Sequence, residues 1–136
     1  RRNGLSGYSD YHIRKLCEWK DIHMIEPLIL QKKSEVLLNT IIYPMLVHFP
    51  KSEKFTLCQE IKQSCYRLIR ESIQYQTALK RDKLYYLRQI DGELKYLLVL
   101  TSVSRDQRYI TQKKAEQLQD NISEIGRITG SLMKAA

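Results

Sequence analysis

Phe49-Pro50-Lys51-Ser52-Glu53-Lys54-Phe55-Thr56-Leu57 decides how this chain folds, because it separates two long amphipathic patterns. Pro50 has no backbone N–H to donate and its ring pushes Phe49 out of helical geometry, so one helix ends there. Ser52 carries the hydroxyl of an N-cap, and Glu53 suits the positive end of a helix dipole. The spacing predicts a new helix from about Ser52.

Upstream, Pro27 suits a first helical turn, and Leu30, Leu37, Leu38, Ile41, Met45 and Leu46 recur at three- and four-residue steps. They predict helix one over about 26–48. Downstream, Phe55, Cys58, Ile61, Cys65, Leu68, Ile69 and Ser72 share one face of helix two, which fades near Thr77. Leu84, Leu87, Ile90, Leu94, Leu97, Leu98 and Thr101 mark helix three, ending before the polar run Ser102 to Arg108. Thr111 is placed to cap helix four, with Ile110 and Ala115 as a hydrophobic staple. Leu118, Ile122, Ile125, Thr129 and Leu132 continue its stripe. Four helices with short connections predict an all-α, antiparallel up-down-up-down four-helix bundle over 24–136. Residues 1–23 form an N-terminal extension of a different character, with Tyr8, Tyr11, Leu16 and Trp19 among Gly, Ser and charge.

The 43% hydrophobic content argues against disorder, and 136 residues suffice for a modest core without disulfides or metal. Cys58 and Cys65, seven residues apart on one helix, are separated by about 10 Å along its axis, too far to be bridged. With Cys17 they make an odd count, which fits a reducing cytoplasm. No metal-ligand spacing occurs, and neither a metal nor a cofactor is expected. The three histidines His12, His23 and His48 are scattered singly, and there is no Gly-rich phosphate loop or Glu-x-x-His pair, so the pattern is not that of an enzyme. The most apolar run, Leu94 to Val103, is too short to span a bilayer, so a soluble protein is expected.

Formal charge is +8, from 23 basic and 15 acidic side chains, and the excess is densest over 78–110. A surplus of this size implies affinity for phosphate backbones or for an acidic partner surface. At 100° per residue, Arg81, Tyr85, Arg88, Gly92, Lys95 and Tyr96 lie within about 60° of one direction on helix three, away from the leucine stripe. Guanidinium groups pair with phosphate oxygens and tyrosines stack on unpaired bases, so this face is a candidate nucleic-acid or polymerase surface. A solvated face or a subunit contact has the same pattern. Lys80 and Lys83 extend the strip, and Arg67, Arg70 and Arg127 are further candidates. Gly126 and Gly130, four apart on helix four, fit either close helix packing within the bundle or a subunit interface.

Two elements, Phe49 to Leu57 and Glu124-Ile125-Gly126-Arg127-Ile128-Thr129-Gly130-Ser131, together resemble the accessory variability determinant proteins of diversity-generating retroelements. These belong to a broader four-helix bundle family that includes proteins encoded in 23S ribosomal RNA intervening sequences. Two departures are Cys58, where a Gly often follows the Phe-Thr-Leu run, and Leu132, where a Trp is common. The resemblance implies a non-catalytic, bacterial or phage-encoded partner of a reverse transcriptase, assembled as a barrel-like homopentamer. Its basic surface would engage that enzyme, RNA and DNA in mutagenic copying of a template-repeat RNA. The intervening-sequence branch implies the bundle without a polymerase partner.

Overall fold

The computed structural model describes residues 22–136. The readings made for Tyr8, Tyr11, His12, Leu16, Cys17 and Trp19 lie outside the described residues. Four helical rods and no strand make up the described chain. Helix α1 starts as Ile22–Val36, widens into a π-helical turn at Leu37–Ile42 and resumes as Tyr43–Leu46. Helices α2 (Leu57–Thr77), α3 (Lys83–Asp106) and α4 (Gln112–Ala135) follow, with 3-10 turns Lys51–Glu53 and Lys80–Asp82 before α2 and α3.

Pro44 accounts for the π-turn. It cannot donate to the Thr40 carbonyl four residues back, and its ring crowds that group, so the ladder widens by one residue. The Tyr43 N–H accordingly donates to the Leu38 carbonyl, five residues back. The widened turn broadens the buried face, since the adjacent pairs Leu37/Leu38 and Ile41/Ile42 are all buried. Pro27 falls inside α1 rather than in its first turn, because the helix starts at Ile22.

Helix α2 also departs from expectation. Pro50 ends the α1 rod as predicted, but Ser52 lies in the 3-10 turn and makes no capping bond. The α-helix begins at Leu57, whose N–H donates to Glu53 Oε1 at 3.4 Å, so the Glu53 carboxylate serves the helix start from four residues upstream. Phe55, expected in the core, precedes the helix and is 77% exposed. Helix α3 runs on to Asp106 through the polar stretch expected to end it. Its buried Ser104 donates to the Leu100 carbonyl at 2.8 Å, and Thr101 donates likewise to Leu97. Ser34, Ser72 and Thr129 use the same bond to the residue four back. Small hydroxyls satisfied in this way can face a core without an unpaired polar atom.

Leu30, Leu68, Leu87, Ile90, Leu118 and Ile125 meet in one core, each at most 1% exposed. Cutting one of these leucines to Ala would cost about 2–5 kcal/mol in transfer and cavity terms. Each rod packs on its neighbour in sequence, and α1 also packs on α4. Gln76 of α2 donates to Gln31 of α1, and Lys33 of α1 pairs with Glu124 of α4 at 2.8 Å. Between α2 and α3, Ser64 donates to Glu93, and Tyr96 donates to Glu60.

The α3 end is a Schellman motif. Tyr109 N–H donates to Ser104 O and Arg108 N–H to Arg105 O, both at 2.9 Å, with Arg108 at φ 66° between them. That left-handed position is usually a glycine, because any Cβ is penalised there. Thr111 then caps α4 as expected, accepting from the Lys114 N–H at 3.0 Å.

Candidate functional site

The outer face of α3 divides along its length. Its first half and the turn before it expose Lys80, Arg81, Tyr85 and Arg88, and among the described residues these three cations make no ion pair. Tyr85 is 60% exposed, its ring edge-on to Tyr86 at 5.1 Å. Lys95 is exposed and paired with Asp91 Oδ2 at 2.7 Å, one helical turn back. Such a surface pair holds the ammonium only weakly, by a few tenths of a kcal/mol on the order of 0.3–0.5. Beyond Tyr96 the same face turns apolar, with Val99 and Val103 exposed. Tyr85, Gly92, Tyr96, Val99 and Val103 thus form an outward stripe at the seven-, four- and three-residue steps of a helix contact seam.

Two of the expected cations are committed elsewhere. Lys83 donates to the Tyr75 carbonyl at 2.9 Å and lies 4.7 Å above the Tyr75 ring, which ties the start of α3 to the end of α2. Arg67 donates to both oxygens of Glu93 and approaches Glu60 Oε2 at 3.5 Å, so one edge of its guanidinium is occupied. Periodicity cannot detect either commitment, because Tyr75 lies on another helix than Lys83 and Glu93 on another helix than Arg67. Arg70 on α2 and Arg127 on α4 are exposed and make no ion pair among the described residues.

Glu71 lies beside this Arg67–Glu93 pair. Its Oε1 is buried without a hydrogen-bond partner among the described residues. Burial, reinforced by repulsion from Glu93, pushes its carboxyl up to about 6 despite the opposing Arg67. Burial likewise raises the Cys65 thiol to about 12, which makes it an inert core side chain.

A Cβ built on Gly126 or Gly130 would meet nothing within 4 Å among the described residues, so close packing within them does not explain either glycine. The same holds for Gly92 on the α3 stripe.

Two concave features at the joints were not visible in the helical pattern. One, of ≈ 270 Å³, lies at the α1–α2 joint between Tyr43, Phe49, Lys54 and Lys62. There the Lys62 ammonium sits 5.6 Å above the Tyr43 ring and that of Lys54 5.3 Å from Phe55. The Tyr43 and Tyr66 hydroxyls are hydrogen-bonded to each other. The other, of ≈ 470 Å³, lies between the end of α1 and the α3–α4 connection, lined by Met45, His48, Arg108, Tyr109, Ile110 and Lys114. The one sequence signal for it was Arg108 next to Tyr109 in a helix connection.

The described residues contain no cluster of His, Cys, Asp and Glu suited to a metal, and no helix among them is long and apolar enough to cross a membrane. Fold and surface together define a small basic helical-bundle protein whose outer faces carry unpaired arginines and exposed aromatic rings. A family model described as bAvd-like matches residues 28–136, and the chain belongs to that family. Comparison with curated proteins and with solved structures finds no match.

Proposed function

We propose that this protein is a non-catalytic accessory subunit of a diversity-generating retroelement, which binds the element's reverse transcriptase and nucleic acid in the bacterial cytoplasm. Membership of the bAvd-like family over residues 28–136 is the observation that carries this reading. The unpaired Lys80, Arg81 and Arg88 beside the exposed Tyr85 support a phosphate-binding strip on α3, with Lys95, Arg70 and Arg127 extending the positive field. The bundle is antiparallel and up-down-up-down. That order is supported between α1 and α2 by the pairs Gln31–Gln76 and Tyr43–Tyr66, and between α2 and α3 by Glu60–Tyr96 and Ser64–Glu93, since in each case rising numbers on one helix meet falling numbers on the next.

Assembly into a barrel-like homopentamer is part of the same proposal. The outward seam from Tyr85 to Val103 supports it, as do Gly126 and Gly130, whose helix cost of about 1 kcal/mol each brings no packing benefit among the described residues. The test is native mass, capture of the cognate reverse transcriptase, and RNA and DNA binding across a salt series. A pentamer that captures the enzyme and binds nucleic acid with a steep salt slope bears the reading out. An assembly that ignores the polymerase would place the chain with the intervening-sequence bundles.

A further inference from the structure

The ≈ 470 Å³ pocket at the α3–α4 connection combines three features that local folding does not require. Arg108 occupies a left-handed position that glycine fills without strain. A side chain kept at such a position points to a use for it. Among the described residues its guanidinium makes no ion pair, and they line the pocket with Arg108, Lys114 and His48 but with no carboxylate. Among the described residues the Lys114 ammonium donates only to the neutral Gln117 side chain, at 2.8 Å.

Between these polar groups the lining is apolar and aromatic. Met45 and Ile110 contribute aliphatic surface, and Tyr109 supplies a ring. That ring is held from two sides: its hydroxyl donates to Glu53 Oε2 at 2.9 Å, and Phe49 packs against it with ring centres 5.3 Å apart. A fixed ring costs no ordering when a planar group settles against it. An acidic peptide would satisfy the cations but has no planar apolar body to cover Met45, Tyr109 and Ile110. A pocket of this size has room for one small planar unit with its charged group.

We propose that this pocket binds one nucleotide unit, its base against Tyr109, Met45 and Ile110 and its phosphate between Arg108 and Lys114. A free mononucleotide and one residue of a single strand share this chemistry. The pocket is separate from the α3 strip, and the mononucleotide form of the proposal stands even if the polymerase-accessory reading fails.

The test is calorimetric titration of the full chain with adenosine monophosphate, adenosine, inorganic phosphate and a short single-stranded oligonucleotide. The monophosphate binds at least tenfold more tightly than adenosine or phosphate alone. Arg108→Gly raises the melting temperature, because glycine suits the backbone there, yet weakens the monophosphate at least tenfold, and Lys114→Gln weakens it similarly. Lys113→Gln removes the same charge next to the pocket and leaves that affinity unchanged. If Arg108→Gly weakens the oligonucleotide as well, the occupant is a strand residue; if it weakens the monophosphate alone, the occupant is a free nucleotide. No binding of the monophosphate, equal binding by Arg108→Gly, or preference for a Glu-rich peptide would overturn the assignment. The oligonucleotide affinity of Arg81→Ala/Arg88→Ala reports separately on the α3 strip.

Discussion

Tyr109 donates its hydroxyl to Glu53 Oε2 at 2.9 Å across 56 positions of sequence, which ties the α1–α2 joint to the α3–α4 joint. The same carboxylate accepts from Thr56 Oγ1 at 2.6 Å and from the Leu57 N–H. One side chain therefore starts a helix and joins two connections at the same end of the molecule.

The hydroxyls of Thr56 and Tyr109 hold the Glu53 carboxyl below its ordinary value of 4.5. A depressed carboxyl contributes stability that is fully present above 4.5 and is lost as pH falls through the folded value. Tyr109→Phe should therefore lower the melting temperature at pH 7, and lower it less at an acid pH where the carboxyl is protonated in the folded protein. A double-mutant cycle with Glu53→Gln checks the coupling. Equal losses at both pH values would mean that packing against Phe49, not the hydrogen bond, is what matters.

Glu71 has the opposite sign. Its folded value, about 6, lies above 4.5, so the native state holds the proton more tightly and this group's contribution falls as pH rises from 4.5 to 6. Glu71→Gln should stabilise the protein at pH 7.5 and be neutral at pH 4. Thermal melts at the two pH values decide it, and a variant destabilised at pH 7.5 would show that the carboxylate has a partner in the assembled protein.

Arg81, Arg88 and Lys95 should act on nucleic acid through charge. Each phosphate neutralised contributes about 0.9 to the slope of log affinity against log salt for duplex DNA. The triple alanine variant should flatten the slope by roughly 2 to 3 and leave the melting temperature within a degree or two. Lys83→Ala should do the reverse, because its ammonium holds Tyr75 and the α2–α3 corner. An unchanged slope in the triple variant would move the strip elsewhere.

Gly126→Ala and Gly130→Ala should each stabilise the isolated chain by about 1 kcal/mol in urea melts, since alanine favours the helix and its methyl meets nothing among the described residues. Gly126→Leu probes the outside. Loss of native mass by light scattering, with helicity intact, marks a subunit contact, whereas unchanged mass removes this face from the interface.

Phe55→Ser should change stability by no more than about 0.5 kcal/mol, in contrast to the 3–5 kcal/mol of a buried aromatic. A large loss would put Phe55 at an interface or in the core.

How far the sequence led differs from helix to helix. Periodicity placed Leu68, Leu87, Ile90, Leu118 and Ile125 in the core, because a helix repeats its direction every 3.6 residues whatever surrounds it. Phe55 failed the same argument, since it is in phase with Cys58 only if the helix has already begun. The polar run Ser102 to Arg108 predicts too early an end for α3, because the bond from Ser104 to Leu100 is invisible in a polarity pattern. The free cations Arg81 and Arg88 and the committed Lys83 and Arg67 look alike in sequence, since what distinguishes them is a neighbour on another rod.

By itself, then, the sequence determined the four rods, the proline stop at Pro50, the Thr111 cap and the basic excess over 78–110, all of which depend on bonds within a few residues or on composition. Tertiary structure decided the rest. Only packed rods bring Glu53 to Tyr109, pair Lys33 with Glu124, leave Gly126 and Gly130 facing open space, and fold Arg108, Lys114 and Met45 around one pocket. The physical reason is that helical periodicity fixes the direction of a side chain around its own axis, but not which neighbouring helix or solvent lies in that direction.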